Sequence, residues 1–389
     1  MKKKIDASAA IILIVAAAFS AFAAAFFILS WRGSDESKLD EAMDVIEKYY
    51  VGEYSREDIE DSAISAMIES LGDRWSYYLP EDEVEGYFQT MNNQYSGIGV
   101  TIEQKDGAIS IVAVQPDSPA AQAGLLPGGI IRTVNGASTE EMTSADLKSA
   151  IQAGLESGSV ELGVEYDGSV ATCTVKQGLI EIDPVRFELL DDGIGYVKVK
   201  NFEARCADQI KTACEELAAQ GARGLVFDLR FNPGGQLSEL ISALDYILPE
   251  GVIFISETKS SGLRENRSDA ACVELPMAVL VNEDSYSAAE FFAAALQEYD
   301  WATIVGTKTT GKGYAQITEL LSDGSAIHIS SKKYYTPSGV SLADTGVTPD
   351  VQVELDETKW AQLYYDLIDH ADDEQLQAAL SAVHDTIGD

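Results

Sequence analysis

The sequence predicts a multidomain protein of mixed α+β and α/β class with a membrane helix at its start. Three observations carry this. Residues 7–31, "ASAAIILIVAAAFSAFAAAFFILSW", form a run of 25 residues without a charge. Residues 94–178 alternate short strand patterns with Gly turns. Residues 179–355 alternate buried-strand and helix patterns, the mark of a largely parallel sheet. The expected parts are a cytoplasmic stub with a transmembrane signal anchor (1–33), a helical arm (34–93), a β-rich domain (94–178), an α/β core (179–355) and an acidic helical tail (356–389).

A bilayer is crossed by about 20 apolar residues, which the 7–31 run supplies. Lys2, Lys3 and Lys4 precede it, which predicts a cytoplasmic N-terminus. A cleaved signal peptide is the rival reading, since "AFA" at 21–23 resembles a cleavage site. The apolar run continues past that point, and a signal h-region is usually about 7–15 residues long. The expectation is therefore an uncleaved, single-pass anchor in the cell membrane, with the rest of the chain extracytoplasmic.

In the arm, Leu39, Met43, Ile46 and Tyr50 fall on one helix stripe, and Ile59, Ala63, Met67 and Leu71 on a second. Such stripes fit plain core packing and also fit a homodimer through these helices. In the β-rich domain, "GIGVTIEQKDGAISIVAV" reads as a hairpin on Asp106-Gly107, and "SVELGVEYDGSVATCTVKQ" as another on Asp167-Gly168. "SPAAQAGL" is a short helix ended by Gly124, and "TSADLKSAIQAG" a helix capped by Thr143 or Ser144.

In the core, "IGYVKVKNF", "ARGLVFDLR", "MAVLVN" and "WATIVGTK" are strands. A helix closed by Gly221 and the helices "QLSELISALDYIL" and 287–299 alternate with them, and Asp323-Gly324 turns a further hairpin. Function in such sheets collects at the carboxyl ends of strands, where "FNPGG" and "EDSYS" lie. No chemistry is read into the tail.

Net charge is −37, spread along the chain without a basic stripe, which excludes nucleic acid as a partner. The four cysteines, Cys173, Cys206, Cys214 and Cys272, have neither CxxC nor metal-site spacing, so buried small hydrophobes are expected, with no metal and no cofactor.

"EDSYSAAE" poses the chemical question. Ser287-x-x-Glu290 is a capping box, enough by itself to explain the serine. A serine at a strand-to-helix elbow is also placed for catalysis, with backbone N–H groups beside it. It needs a base. His328 lies on an alternating strand, His370 and His384 in the tail, and no "GxSxG" elbow exists, which argues against a histidine-triad esterase. Lysine serves if burial leaves its amine neutral. Lys312 is flanked by Gly311 and Gly313, which let the backbone pass close to another segment.

At these residues the chain resembles the carboxyl-terminal processing, or tail-specific, proteases, which are serine peptidases with a PDZ domain. "SYSAAE" is similar to the family's nucleophile run, with Ser287 at the nucleophile position. The general-base lysine position, 25 residues on within a G-K-G, is Lys312, and the lysine-positioning glutamine four residues later is Gln316. "LVFDLRFNPGG" resembles the oxyanion strand and turn, implying Gly234 or Gly235 as donor, with Ala288 N–H as the second. "ESLGDRWSYYLPEDE" resembles the segment before the PDZ domain. "YSGIGVTIE" resembles its carboxylate-binding loop, implying Ser96, Gly97, Ile98, Gly99 and Val100 for substrate binding.

The resemblance spans roughly residues 35–355 in order, and several ordered motifs are more specific than any one. Tyr286 stands where the family has a small residue, and Phe231 where asparagine is common. The implied substrates are proteins or peptides with free C-termini, and the implied mechanism is a Ser–Lys acyl-enzyme. The alternative is a non-catalytic PDZ scaffold that binds C-termini.

Overall fold

A computed structural model describes residues 37–105 and 107–388. The expected anchor, 7–31, lies outside the described residues, and no helix among these is long and apolar enough to cross a membrane. The chain divides after Ala63 into two compact units.

The first unit holds α1 (Lys38–Tyr49) and the start of α2 (Arg56–Glu69). Ser37 caps α1 in a box with Asp40. The expected apolar stripes are only partly covered: Met43 is buried, whereas Leu39 on α1 and Tyr50 just after it are exposed, as are Met67 and Leu71 at the end of α2 and beyond. Plain core packing does not describe them.

The second unit opens with β1 (Tyr77–Leu79) and α3 (Glu81–Met91). Next come β2 (Gln94–Gly97), β3 (Val100–Lys105), β4 (Ala108–Val114), α4 (Pro119–Gln122), β5 (Ile130–Val134) and β6 (Ala137–Ser138). This part ends with α5 (Ser144–Glu156), β7 (Val160–Tyr166), β8 (Ser169–Val175) and β9 (Gly178–Glu181). A sheet in the order β3-β4-β5-β7-β8 leaves β3 as an edge strand. Alternation buries Ile109, Ile111, Ile131, Leu162 and Val164 on one face. Leu147, Ile151 and Leu155, one turn apart on α5, cover them. Thr143 is the cap, in a box with Asp146.

The core follows: β10 (Val185–Leu189), β11 (Ile194–Val199), α6 (Cys206–Ala219), β12 (Gly224–Asp228), α7 (Leu237–Ile247), β13 (Gly251–Thr258), β14 (Gly262–Ser268) and β15 (Met277–Val281). It continues with α8 (Ala288–Glu298), β16 (Ala302–Gly306), β17 (Tyr314–Leu320), β18 (Ala326–Tyr335), β19 (Val351–Gln352), α9 (Glu357–Tyr364) and α10 (Glu374–Ile387). One sheet runs β10-β11-β12-β15-β16-β19 and is parallel except at β10. Strands β12 and β15 are buried at every position, as a sheet covered on both faces requires.

Helices α6, α7 and α8 pack on one face, with Cys206 and Cys214 buried among them. On the other face, α10 buries Leu376, Ala379 and Val383 against Ile194, Val226, Ala278 and Leu280. The acidic tail thus forms half of the core cover. It is locked by Arg230, whose guanidinium is buried between Asp228 (2.6 Å) and Asp373 (2.8 Å). A second sheet, β1-β18-β13-β14 with β17 beside β18, stands next to the first. The Asp323-Gly324 hairpin forms between β17 and β18. The β13–β14 hairpin had no expected counterpart, because "LRENRS" has no apolar alternation.

Candidate active site

Strands β12 and β15 are parallel neighbours, so the turns at their carboxyl ends meet. Phe231 N–H donates to Asn282 Oδ1 (2.9 Å), and Tyr286 N–H to the Asn232 carbonyl (3.1 Å). Ser285 is fully buried, and its hydroxyl donates to the Leu229 carbonyl (2.7 Å) while accepting Asn282 N–H (3.0 Å). Ser285 is a fastener between the two turns.

Ser287 is different. Its backbone sits at φ 58°, ψ −123°, a region that costs a side-chain-bearing residue about 1–3 kcal/mol. Ser287 and Glu290 stand in capping-box relation. The well-formed bond of the pair is Ser287 N–H to Glu290 Oε2 at 2.9 Å, and the hydroxyl makes no cap hydrogen bond. Glycine tolerates this backbone. Ser287→Gly is therefore expected to stabilise the fold by about 1 kcal/mol while removing the hydroxyl, read as a raised urea midpoint. An unchanged or lowered midpoint would show that the elbow holds no strain.

Glu290 is buried on the first turn of α8. Its Oε2 also accepts Lys312 N–H (2.8 Å), and its Oε1 accepts Gly311 N–H (2.6 Å) and the Thr309 hydroxyl (2.6 Å). One carboxylate oxygen therefore joins the backbones of Ser287 and Lys312. Burial pushes the Glu290 carboxyl up, and the four donors pull the other way. The flanking glycines are required by close approach, since a Cβ at Gly313 would lie 2.7 Å from the Ala343 Cβ, and Gly311 is at φ 88°.

The Lys312 side chain is half-buried, with Nζ 4.5 Å from the Trp75 ring centre and 5.7 Å from that of Tyr286. The two rings stack on each other at 5.8 Å. Among the described residues no carboxylate reaches ion-pair distance of Nζ. Burial lowers the amine to about 8, with Asp73 and Glu290 opposing it. Gln316 is not bonded to Lys312; its amide donates to Ser330 Oγ (3.0 Å) and the Tyr314 carbonyl (3.2 Å).

Of the two glycines, Gly234 gives its N–H to Asn232 Oδ1 (2.8 Å). A Cβ there would meet Ser287 Cβ and Ala288 N at 2.8 Å, so only glycine lets this turn lie against the elbow. Gly235 N–H and Ala288 N–H donate to no acceptor among the described residues. In the 96–100 loop, Ser96 N–H is taken by Gln89 Oε1 (3.0 Å), whereas Ile98 and Gly99 N–H have no acceptor among the described residues. The loop leads into the edge strand β3. His328 is held by Thr318 (2.8 Å) and Tyr87 (3.1 Å), and burial lowers it to about 4. His384 lies on Asp192 (2.9 Å), and His370 against the Tyr196 ring.

The model of peptidase family S41 matches residues 193–353, and that of the PDZ domain residues 110–165. The carboxy-terminal processing protease CtpA of Bacillus subtilis is 31% identical over 331 residues, covering 84% of this chain and 70% of that protein. The chain belongs to peptidase family S41, the carboxy-terminal processing serine proteases. A probable CtpA-like serine protease of Staphylococcus saprophyticus is 28% identical over 358 residues, covering 88% of this chain and 72% of that protein. A putative S41 protease from Bacteroides fragilis shares the fold, with TM-score 0.55 at 20% identity over 84% of this chain and 90% of that one.

Within this S41 chain, sequence reasoning gave no role in the site to Trp75, Asp73 or Asn232, and only a capping role to Glu290. Trp75 and Asp73 come from a loop far away in sequence. Asn232 ties the Gly234 turn to Val199 (2.7 Å) and to Tyr286.

Proposed function

We propose that this serine peptidase is a membrane-anchored, extracytoplasmic endopeptidase that cuts proteins near their C-terminus with a Ser287–Lys312 dyad. The observation that carries the reading is Glu290 Oε2, which accepts the N–H groups of both residues beside a half-buried amine with no ion-pair partner among the described residues. Neutral Lys312 takes the proton from Ser287 Oγ as the oxygen attacks a peptide carbonyl. Gly235 and Ala288 N–H receive the oxyanion. The Lys312 ammonium returns its proton to the leaving amine, and water then releases the acyl group. Gln316 acts on Lys312 through neighbours rather than by a direct bond.

The PDZ domain holds the substrate's free carboxylate at Ile98 and Gly99, and the tail adds as a strand beside β3. The functional parts are 34–93, 94–178 and 179–355, anchored through residues 7–31. A homodimer through the N-terminal helices would cover Leu39 and Tyr50. The test is mass spectrometry of an unstructured protein with an apolar C-terminus, offered with a free or an amidated tail to the full-length enzyme. Cleavage of the free tail at least about tenfold faster is expected, one lost charge-assisted contact being worth about 1.5–3 kcal/mol. Equal rates would remove tail recognition from the account. Binding of the free tail without any cut would favour the scaffold.

A further inference from the structure

Asp73, just ahead of β1, has no part in the mechanism above. Its Oδ1 accepts Trp75 N–H (3.1 Å) and its Oδ2 the Ser76 hydroxyl (2.6 Å). Ser330 closes the group: its N–H donates to Ser76 Oγ (3.0 Å), its Oγ accepts the Gln316 amide (3.0 Å), and its hydroxyl favours the ionised form of Asp73. Burial raises the Asp73 carboxyl, but the Ser330 and Ser76 hydroxyls and the Trp75 N–H outweigh it and hold the group below the usual range. The same short loop that carries this carboxylate lays the Trp75 ring against Lys312 Nζ. A cleft of about 680 Å³ is lined by Asp73, Trp75, Tyr314 and Ser330 among others.

When Lys312 takes a proton, a cation forms in a half-buried place, which is costly without a counter-charge. The charged and titratable groups facing it are Asp73 and Arg74 from this loop, Tyr286 from the turn before α8, Glu290 from α8, Glu203 from the loop after β11, and His328 from β18. Glu290 is occupied by four donors. Burial pushes Glu203 up to about 7, and its Oε2 has no hydrogen-bond partner among the described residues. His328 is uncharged at neutral pH. Asp73 is the carboxylate that holds the Trp75 backbone N–H while the Trp75 ring lies 4.5 Å from Nζ, so it is the anion that this loop brings toward the amine.

We propose that Asp73 is the positioning carboxylate of Lys312, stabilising the ammonium formed when Ser287 Oγ loses its proton, with Gln316 acting through Ser330 to hold it. Asp73 stays ionised throughout; the proton passes from Ser287 to Lys312 and on to the leaving amine. The proposal rests on the Ser287–Lys312 reading.

The test is the pH profile of kcat/KM for the full-length enzyme, its Asp73→Asn, Asp73→Glu and Ser330→Ala variants, and Lys312→Ala. Asp73→Asn is expected to lower the plateau roughly 10- to 100-fold with KM little changed, a loss within the range of acid–base assistance. Its acid limb should move to lower pH, because removing an anion lowers the amine's affinity for protons. Asp73→Glu should restore part of the plateau and move the limb back. Ser330→Ala should shift it in the Asn direction by less, and it decides the matter if Asp73→Asn fails to fold. A limb that stays in place in both variants, with Lys312→Ala inactive, overturns the role of Asp73 and leaves the dyad standing. Full activity in Lys312→Ala overturns the dyad and this proposal together.

Discussion

Lys312→Ala is expected to leave a folded protein that cleaves roughly 10,000-fold more slowly, the upper range of what a positioned general base contributes. Folding should survive because the link from Glu290 to this segment runs through backbone N–H groups, which alanine retains. What disappears is the amine beside the Trp75 and Tyr286 rings. The wild-type rate should also carry the signature of that amine. The neutral form is the active one, so kcat/KM should climb as pH rises toward about 8 and level off above it. Steady-state kinetics of wild type and variant between pH 6 and 10 reads both effects. A wild-type profile flat across this range would contradict lysine as the base.

Glu290→Gln is expected to damage activity less than Lys312→Ala does, and stability far more. The side chain keeps its size, but one of its oxygens becomes an NH2 group. Either orientation then turns a donor toward two donors: Ser287 and Lys312 N–H on one side, Gly311 N–H and the Thr309 hydroxyl on the other. Charge-assisted hydrogen bonds are worth about 1.5–3 kcal/mol each, so the loss should be roughly 3–5 kcal/mol. Thr309 cannot escape easily, because its Oγ also accepts Val347 N–H (2.7 Å). Chemical unfolding should show a markedly lower midpoint, and residual cleavage should fall at least about a hundredfold if the elbow and the lysine segment separate. A variant with wild-type midpoint and rate would mean that the carboxylate does not hold the two segments together.

Local patterns were readable in the sequence, while the meeting of distant segments was not. Short strands, Gly turns and the alternation of strand and helix all follow periodicity and turn chemistry, and they led to the sheet edges where Ser287 and the Gly234 turn lie. Gly311 and Gly313 pointed to a close backbone approach, which the 343–346 segment supplies. The resemblance puts the nucleophile at Ser287, and the structure adds why Ser285 is not it, since burial and the Leu229 bond make Ser285 a fastener beside a half-buried elbow. The choice between Gly234 and Gly235 turned on which N–H the Asn232 side chain consumes.

Asp73 and Trp75 lie in the segment that resembles the one before the PDZ domain, but that resemblance gave them no place in the site, which comes from the loop before β1 folding against β18. The C-terminal tail reads as acidic and helical, and its packing role was not legible because acidic residues dominate its composition. Leu376, Ala379 and Val383 nevertheless recur at helical spacing and cover the sheet. In the arm, apolar spacing fitted either core packing or a homodimer seam, and Leu39 and Tyr50 are exposed.

The most direct measurement is the site and rate of covalent capture by a fluorophosphonate. The full-length protein would be treated between pH 6 and 10, digested, and the modified residue found by mass spectrometry, with Lys312→Ala in parallel. The account predicts a single adduct on Ser287, forming faster as pH rises through about 8 and nearly absent in the variant. An adduct on another residue, or equal labelling of Ser287 with and without the Lys312 amine, would contradict it.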